Sequence, residues 1–139
     1  MIHQRLLATT VAVLLATTTF VVPARGSQEV TITIANVVNP EARTVTVHCQ
    51  SKDDDLGFHD LGVYEEYSWS FHPNALGGTL FWCRLYIAET DQCLVFDAYR
   101  QNLHRGNHIL RWEVEGADGV SGKTERGVPV RNVANWHPC

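Results

Sequence analysis

Methionine is all but missing from this 139-residue chain: Met1 is the single one, so no methionine-lined interaction surface is available to it. Basic residues are also sparse, 11 Lys and Arg against 15 Asp and Glu. That balance argues against nucleic acid as a partner, because such binding rests on neutralising phosphates. No Asn has Ser or Thr two residues on, so N-glycosylation is not expected. There is no C-x-x-C pair to suggest a zinc site, and neither G-x-S-x-G nor H-E-x-x-H surrounds any histidine. Internal repeats and low-complexity tracts are absent as well. These absences point away from an enzyme, a metal protein or a cofactor carrier.

Only one long apolar run is present, and it stands at the start. His3 and Arg5 lead into Leu6 to Val22, interrupted by Thr9, Thr10 and Thr17 to Thr19, and Pro23-Ala24-Arg25-Gly26 follows. A run this short and threonine-rich is poorly suited to spanning a bilayer. Small residues at Ala24 and Gly26 fit a cleavage site, so residues 1–26 read as a secretory signal peptide and 27–139 as the mature domain. Cleavage removes Arg5 and Arg25 and leaves 9 basic against 15 acidic residues, a net charge of −6. With no second apolar run, the expected product is a secreted, soluble, single-domain monomer with no membrane insertion.

Beyond Glu29 the hydropathy period is two. Val30, Ile32 and Ile34 alternate with Thr31, Thr33 and Ala35, and Val45, Val47 and Cys49 alternate with Thr44, Thr46 and His48. This is the pattern of half-buried strands. Asn39-Pro40-Glu41 reads as a turn between them. Phe58 to Leu61 reads as a minor edge strand, Tyr67 to Phe71 as a strand with an aromatic inner face, and Thr79 to Ile87 as a central, well-covered strand. Leu94 to Tyr99 and Leu110 to Val114 complete six firm strands, and Val128 to Val133 adds a weak one that Pro129 assigns to an edge. No segment has a convincing helical period. The expected fold class is all-β, a small disulfide-stapled β-sandwich of two antiparallel sheets.

Four cysteines, Cys49, Cys83, Cys93 and Cys139, all fall after the leader. In a small secreted domain they imply two disulfides, with three connectivities open. Cys83 and Cys93 flank a hairpin turn at Ala88-Glu89-Thr90-Asp91, which favours Cys83–Cys93 and leaves Cys49 with Cys139.

Candidate sites fall on loops. Residues 51–57 carry Asp53, Asp54 and Asp55, and residues 100–107 carry Arg100, His104 and Arg105. The aspartates lack the ligand spacing of a calcium loop and read as a solvated turn. Opposite charges on the two loops would let one face choose a partner by complementarity. His48 reads as a surface histidine, and Trp69, Phe71, Phe81 and Trp82 as core.

The segments His48-Cys49-Gln50-Ser51-Lys52-Asp53-Asp54-Asp55-Leu56-Gly57, Trp69-Ser70-Phe71 and Gly78-Thr79-Leu80-Phe81-Trp82-Cys83, in this order, resemble the plant self-incompatibility S1 family. The resemblance runs from about Val30 to Gly119. Members commonly carry a C-x-x-C pair before the tryptophan of a late strand; here that stretch is Asn107-His108-Ile109-Leu110-Arg111-Trp112, and the remaining cysteines are Cys93 and Cys139. The resemblance implies the same sandwich and a secreted, non-enzymatic signalling ligand for a cell-surface receptor protein, with pollen–stigma rejection as the defining role. Two alternatives stay open: a small secreted hydrolase using His48 or His72, and a carbohydrate-binding module using exposed tryptophans.

Overall fold

Alternation of apolar and hydroxylated residues gives each strand one face for the core and one for water, and two such sheets close on each other. The computed structural model describes residues 26–38, 43–116 and 118–139, with side chains for all of these but 131–133. The leader up to residue 25 and the turn at Asn39-Pro40-Glu41 lie outside the described residues.

Ten strands are present among the described residues: β1 (Val30–Asn36), β2 (Val45–Gln50), β3 (Asp55–Leu61), β4 (Glu66–Phe71), β5 (Leu80–Ile87), β6 (Gln92–Arg100), β7 (Ile109–Glu115), β8 (Gly119–Thr124), β9 (Pro129–Ala134) and β10 (His137–Pro138). A four-residue helix, α1 (Gln101–His104), follows β6. One sheet runs β4-β1-β7-β8-β9 and the other β10-β6-β5-β2-β3. The expected sandwich is present, with a single parallel pairing, β1 against β7, in otherwise antiparallel ladders. Two strands have no clear sequence signal: β8, whose Gly119-Val120-Ser121-Gly122-Lys123-Thr124 is too polar to announce a strand, and the short β10.

Ile32, Ile34, Val45, Val47, Leu85, Leu94, Leu110, Trp112 and Val114 point inward and are fully buried. Trp112 on β7 is the largest of them, and its Nε1–H donates to the Ala98 carbonyl on β6 at 2.9 Å, joining the two sheets through the core. Space for the ring is made by its cross-strand neighbour Gly122, where an added Cβ would stand 2.6 Å from the indole. Trp69 and Phe71 pack against this core and Phe81 lies within it. Trp82 departs from expectation: it shares the outer face of β5 with Arg84 and Tyr86 and is half-buried there, because the alternation that buries Phe81 and Cys83 turns it outward.

The disulfides differ from the expected pairs. Cys49 bonds Cys83 and Cys93 bonds Cys139. The 3-10 turn at Ala88–Thr90 sets the β5–β6 register so that Cys83 lies opposite Phe96 and Cys93 opposite Tyr86. An offset of three residues puts the two cysteines on opposite faces of the sheet, where they cannot meet. Cys49 and Cys83 instead face each other across β2–β5, with Cα atoms 4.0 Å apart. The chain's end is therefore held on β6, alongside the His137↔Cys93 pairing.

Filling the Gly122 notch tests the role assigned to Trp112. Gly122→Ala is expected to lower unfolding stability by about 1–3 kcal/mol, the usual cost of overpacking a tight core. Denaturant titration of both proteins measures it, and an unchanged midpoint would mean that the indole is free to move aside.

Candidate functional site

The register puts all the connections that carry the predicted charges at one end of the sandwich. Val30 pairs with Phe71, Thr31 with Ile109, Leu110 with Thr124, Gln50 with Trp82 and Leu80 with Arg100. Segments 51–54, 72–79, 101–108 and 125–128 therefore emerge together. Gln101 ties two of them: its backbone N–H donates to the Thr79 carbonyl at 3.0 Å, and its side-chain amide donates to the Asn74 carbonyl at 2.9 Å.

The acidic loop is shorter than expected. Ser51 Oγ accepts from the backbone N–H of Asp54 at 3.0 Å, closing a tight turn after which β3 begins at Asp55. Asp53 and Asp54 are exposed in the turn. Asp55 belongs to the ladder: its carboxylate accepts from Gly57 N–H at 2.9 Å and meets His48 Nε2 at 2.7 Å. Those contacts, the Gly57 N–H foremost, hold its carboxyl below the ordinary carboxylate range. His48 also stacks on Phe58, with ring centroids 4.2 Å apart. The His48–Asp55 pair thus clasps β2 to β3, where the register shifts. His72 lines a separate hollow of about 540 Å³ with Asp53, Asp54 and Trp82. Among the described residues, no cluster of His, Cys, Asp and Glu could hold a metal.

The second loop is corrected further. Residues 100–107 do not form an open loop: Arg100 ends β6, and Gln101–His104 make one helical turn. Arg100 and Arg105 are exposed as expected. His104 is buried, with 5% of its surface accessible, and lies 5.7 Å from Tyr99 and 6.3 Å from Trp112 between ring centroids. Its Nδ1 accepts from the Arg100 backbone N–H at 2.9 Å, so the neutral ring carries its proton on Nε2. Burial, opposed by the nearby Asp97 carboxylate and reinforced by Arg100, holds its pKa below the ordinary imidazole value. The neighbouring Leu103 is turned out instead, 68% exposed. A single turn is too short to show a period, which is why sequence reasoning misses this inversion.

Between α1 and the β8–β9 turn lies a groove of about 710 Å³. Arg100, Asn102, His104, Asn107 and Arg126 line it, with Leu103 and Val128 on its apolar parts. Arg100 pairs with Asp97 through its guanidinium, while Arg126 makes no hydrogen bond or ion pair among the described residues. Arg126 is not evident from the sequence, because it lies 21 positions after Arg105 and only the β7–β8 hairpin returns it to the same end.

Comparison with known proteins follows the same lines. The family description "Plant self-incompatibility protein S1" matches residues 31–136. The chain is 34% identical over 116 residues to S-protein homolog 24 of Arabidopsis thaliana, covering 82% of this chain and 73% of that protein. It is 46% identical over 57 residues to S-protein homolog 21 of the same plant, covering 40% of this chain and 43% of that protein. A solved structure of an SPH (self-incompatibility protein homologue) protein, from a family described as small, highly stable, secreted proteins from plants, superposes with a TM-score of 0.64 at 19% identity, covering 82% of this chain and 99% of the other.

Because the unfolded chain takes up the His104 proton first, stability should fall as pH drops below about 6.5 and go on falling until the folded ring itself titrates. His104→Asn retains an acceptor for the Arg100 N–H and cannot titrate. Its unfolding midpoint should therefore decline less than that of the natural chain between about pH 7 and about pH 5. Parallel declines would show that His104 titrates alike in both states.

Proposed function

The chain belongs to the plant self-incompatibility protein S1 family, and from that membership we propose that this secreted protein is a non-enzymatic recognition ligand, which offers the loop-bearing end of its sandwich to a receptor protein on a plant cell surface. The observation that carries the reading is the gathering of segments 51–54, 72–79, 101–108 and 125–128 at one end of a rigid, disulfide-held scaffold. Recognition residues are characteristically placed in this way, on loops positioned by a fixed frame. Asp53, Asp54, Arg100 and Arg105 supply exposed charge of both signs there. Asp55, itself exposed, holds His48 beside this face, and the buried His104 supports it from within through the Arg100 backbone. Rejection of pollen at the stigma is the role this reading extends to, if the receptor is found on pollen.

Arg100→Glu with Arg105→Glu should weaken saturable binding of the oxidised protein to plasma-membrane preparations at least tenfold. Arg84→Glu, on the outer face of β5, should leave binding unchanged. Stigma, pollen and vegetative membranes run side by side would identify the tissue. Equal binding by all three proteins would remove the loop end from the interface.

One observation favours a second reading. Trp82 borders the hollow beside Asp53 and Asp54, where an indole could stack on a sugar ring while carboxylates accept its hydroxyls. Cell-wall oligosaccharides should then quench tryptophan fluorescence in the natural chain and not in Trp82→Ala; no quenching in either dismisses this reading.

A further inference from the structure

The groove between α1 and the β8–β9 turn joins a cation and a fixed N–H, Arg126 and His104, with the side-chain amides of Asn102 and Asn107. His104 is 5% accessible, its Nδ1 is occupied by the Arg100 N–H, and its Nε2–H meets no acceptor among the described residues although the ring lines the groove. The Nε2 edge is not sealed in the core but opens to the groove, where an incoming acceptor can reach it. Arg126, on the facing turn, is exposed and without a partner, and the side-chain amides of Asn102 and Asn107 likewise make no hydrogen bond among the described residues. The one carboxylate in the lining, Asp97, is engaged by the Arg100 guanidinium at both Nε and Nη2. Leu103 and Val128, 68% and 55% exposed, add apolar surface beside these donors.

We propose that this groove binds an acidic, apolar peptide segment of a protein partner, a carboxylate of which enters between His104 Nε2–H and the Arg126 guanidinium while an apolar side chain rests on Leu103 and Val128. A carboxylate accepts and never donates, which matches the Arg126 guanidinium and the His104 Nε2–H as the pair that flanks it. Sugar hydroxyls need acceptors as well as donors and favour aromatic platforms. Among the described lining residues no tryptophan or tyrosine offers such a platform, although the Asn102 and Asn107 amides supply acceptors. A peptide supplies the apolar side chain that Leu103 and Val128 call for, which a uronate chain lacks.

This inference rests on the loop end being the partner-binding face, and its test is separable from the test of that reading. A blocked peptide of alternating leucine and aspartate, its asparagine counterpart and trigalacturonate are each titrated into the oxidised protein in solution, followed by NMR shifts of the His104 ring and the Arg126 side chain. The aspartate peptide should bind saturably at one site, at least tenfold tighter than the asparagine peptide. Arg126→Ala and His104→Asn should each weaken it several-fold, and Arg84→Ala should not. Indifference to carboxylate against amide, or to both groove variants, overturns the proposal. Tighter binding of trigalacturonate than of the aspartate peptide, lost in the same variants, overturns the peptide assignment. Peptide binding in a protein that fails to bind membranes would retain the groove and sink the receptor reading; membrane binding without peptide binding would do the reverse.

Discussion

The Trp112 indole is the contact on which the rest of the structure depends. It stands on the strand at the centre of one sheet, fills the notch opposite Gly122, and donates its N–H to Ala98 in the other sheet. Phe96 meets it edge-on with ring centroids 4.9 Å apart. A sandwich held by apolar contact alone tolerates sliding of one sheet over the other. A buried hydrogen bond between the sheets does not, because displacement would leave a donor and a carbonyl unpaired in the core. The position of β6 against β7 is fixed in this way, and with it the position of everything that follows β6.

That dependence reaches the loop end through one side chain. His104 packs against Tyr99 and Trp112 while taking the Arg100 N–H, so the turn of α1 is seated on the core. The arginines at either side are carried on a short segment whose backbone is anchored by a buried ring on one flank and by Gln101 on the other. Side chains presented from such a frame lose less freedom on binding than those on a slack loop. The opposite end of the sandwich is closed differently. There the Cys93–Cys139 bond and the β10 pairing hold residues 137–139 against the start of β6, at Gln92 and Cys93.

How much of this was legible depends on how many residues each feature uses. The alternation of Val30, Ile32 and Ile34 with Thr31, Thr33 and Ala35 marks β1 to within one residue of its end, and Tyr67, Trp69 and Phe71 mark the aromatic strand. Fold class follows from such runs because a period needs only a few repeats to show itself. Features decided by a single register or a single turn do not show in this way. The cysteine pairing turns on whether the hairpin at residues 88–91 adds an even or odd number of residues, and one step changes the face of every side chain beyond it. β8 is hidden because Gly122 is chosen for the Trp112 ring across from it and not for strand propensity. His104 is hidden because hydropathy assigns the histidine outward and Leu103 inward, whereas a hydrogen bond to the backbone reverses them.

The net charge of the chain and the chemistry of its groove pull in opposite directions, and the distance at which each acts reconciles them. The chain as a whole, with 15 acidic residues against 11 basic ones, repels an acidic segment while it is far away. Screening confines that repulsion to roughly 8–10 Å in physiological salt. Closer in, Arg126 and the fixed Nε2–H of His104 act at contact distance, where solvent and salt intervene least. Long-range fields govern mainly how fast partners meet, and contacts made in a desolvated groove govern how long they stay. An acidic protein whose groove presents a cation and a fixed N–H should therefore capture partners slowly and hold those that fit. Because the general field discourages anionic chains as a class, selection falls to the few side chains that the sandwich holds in place.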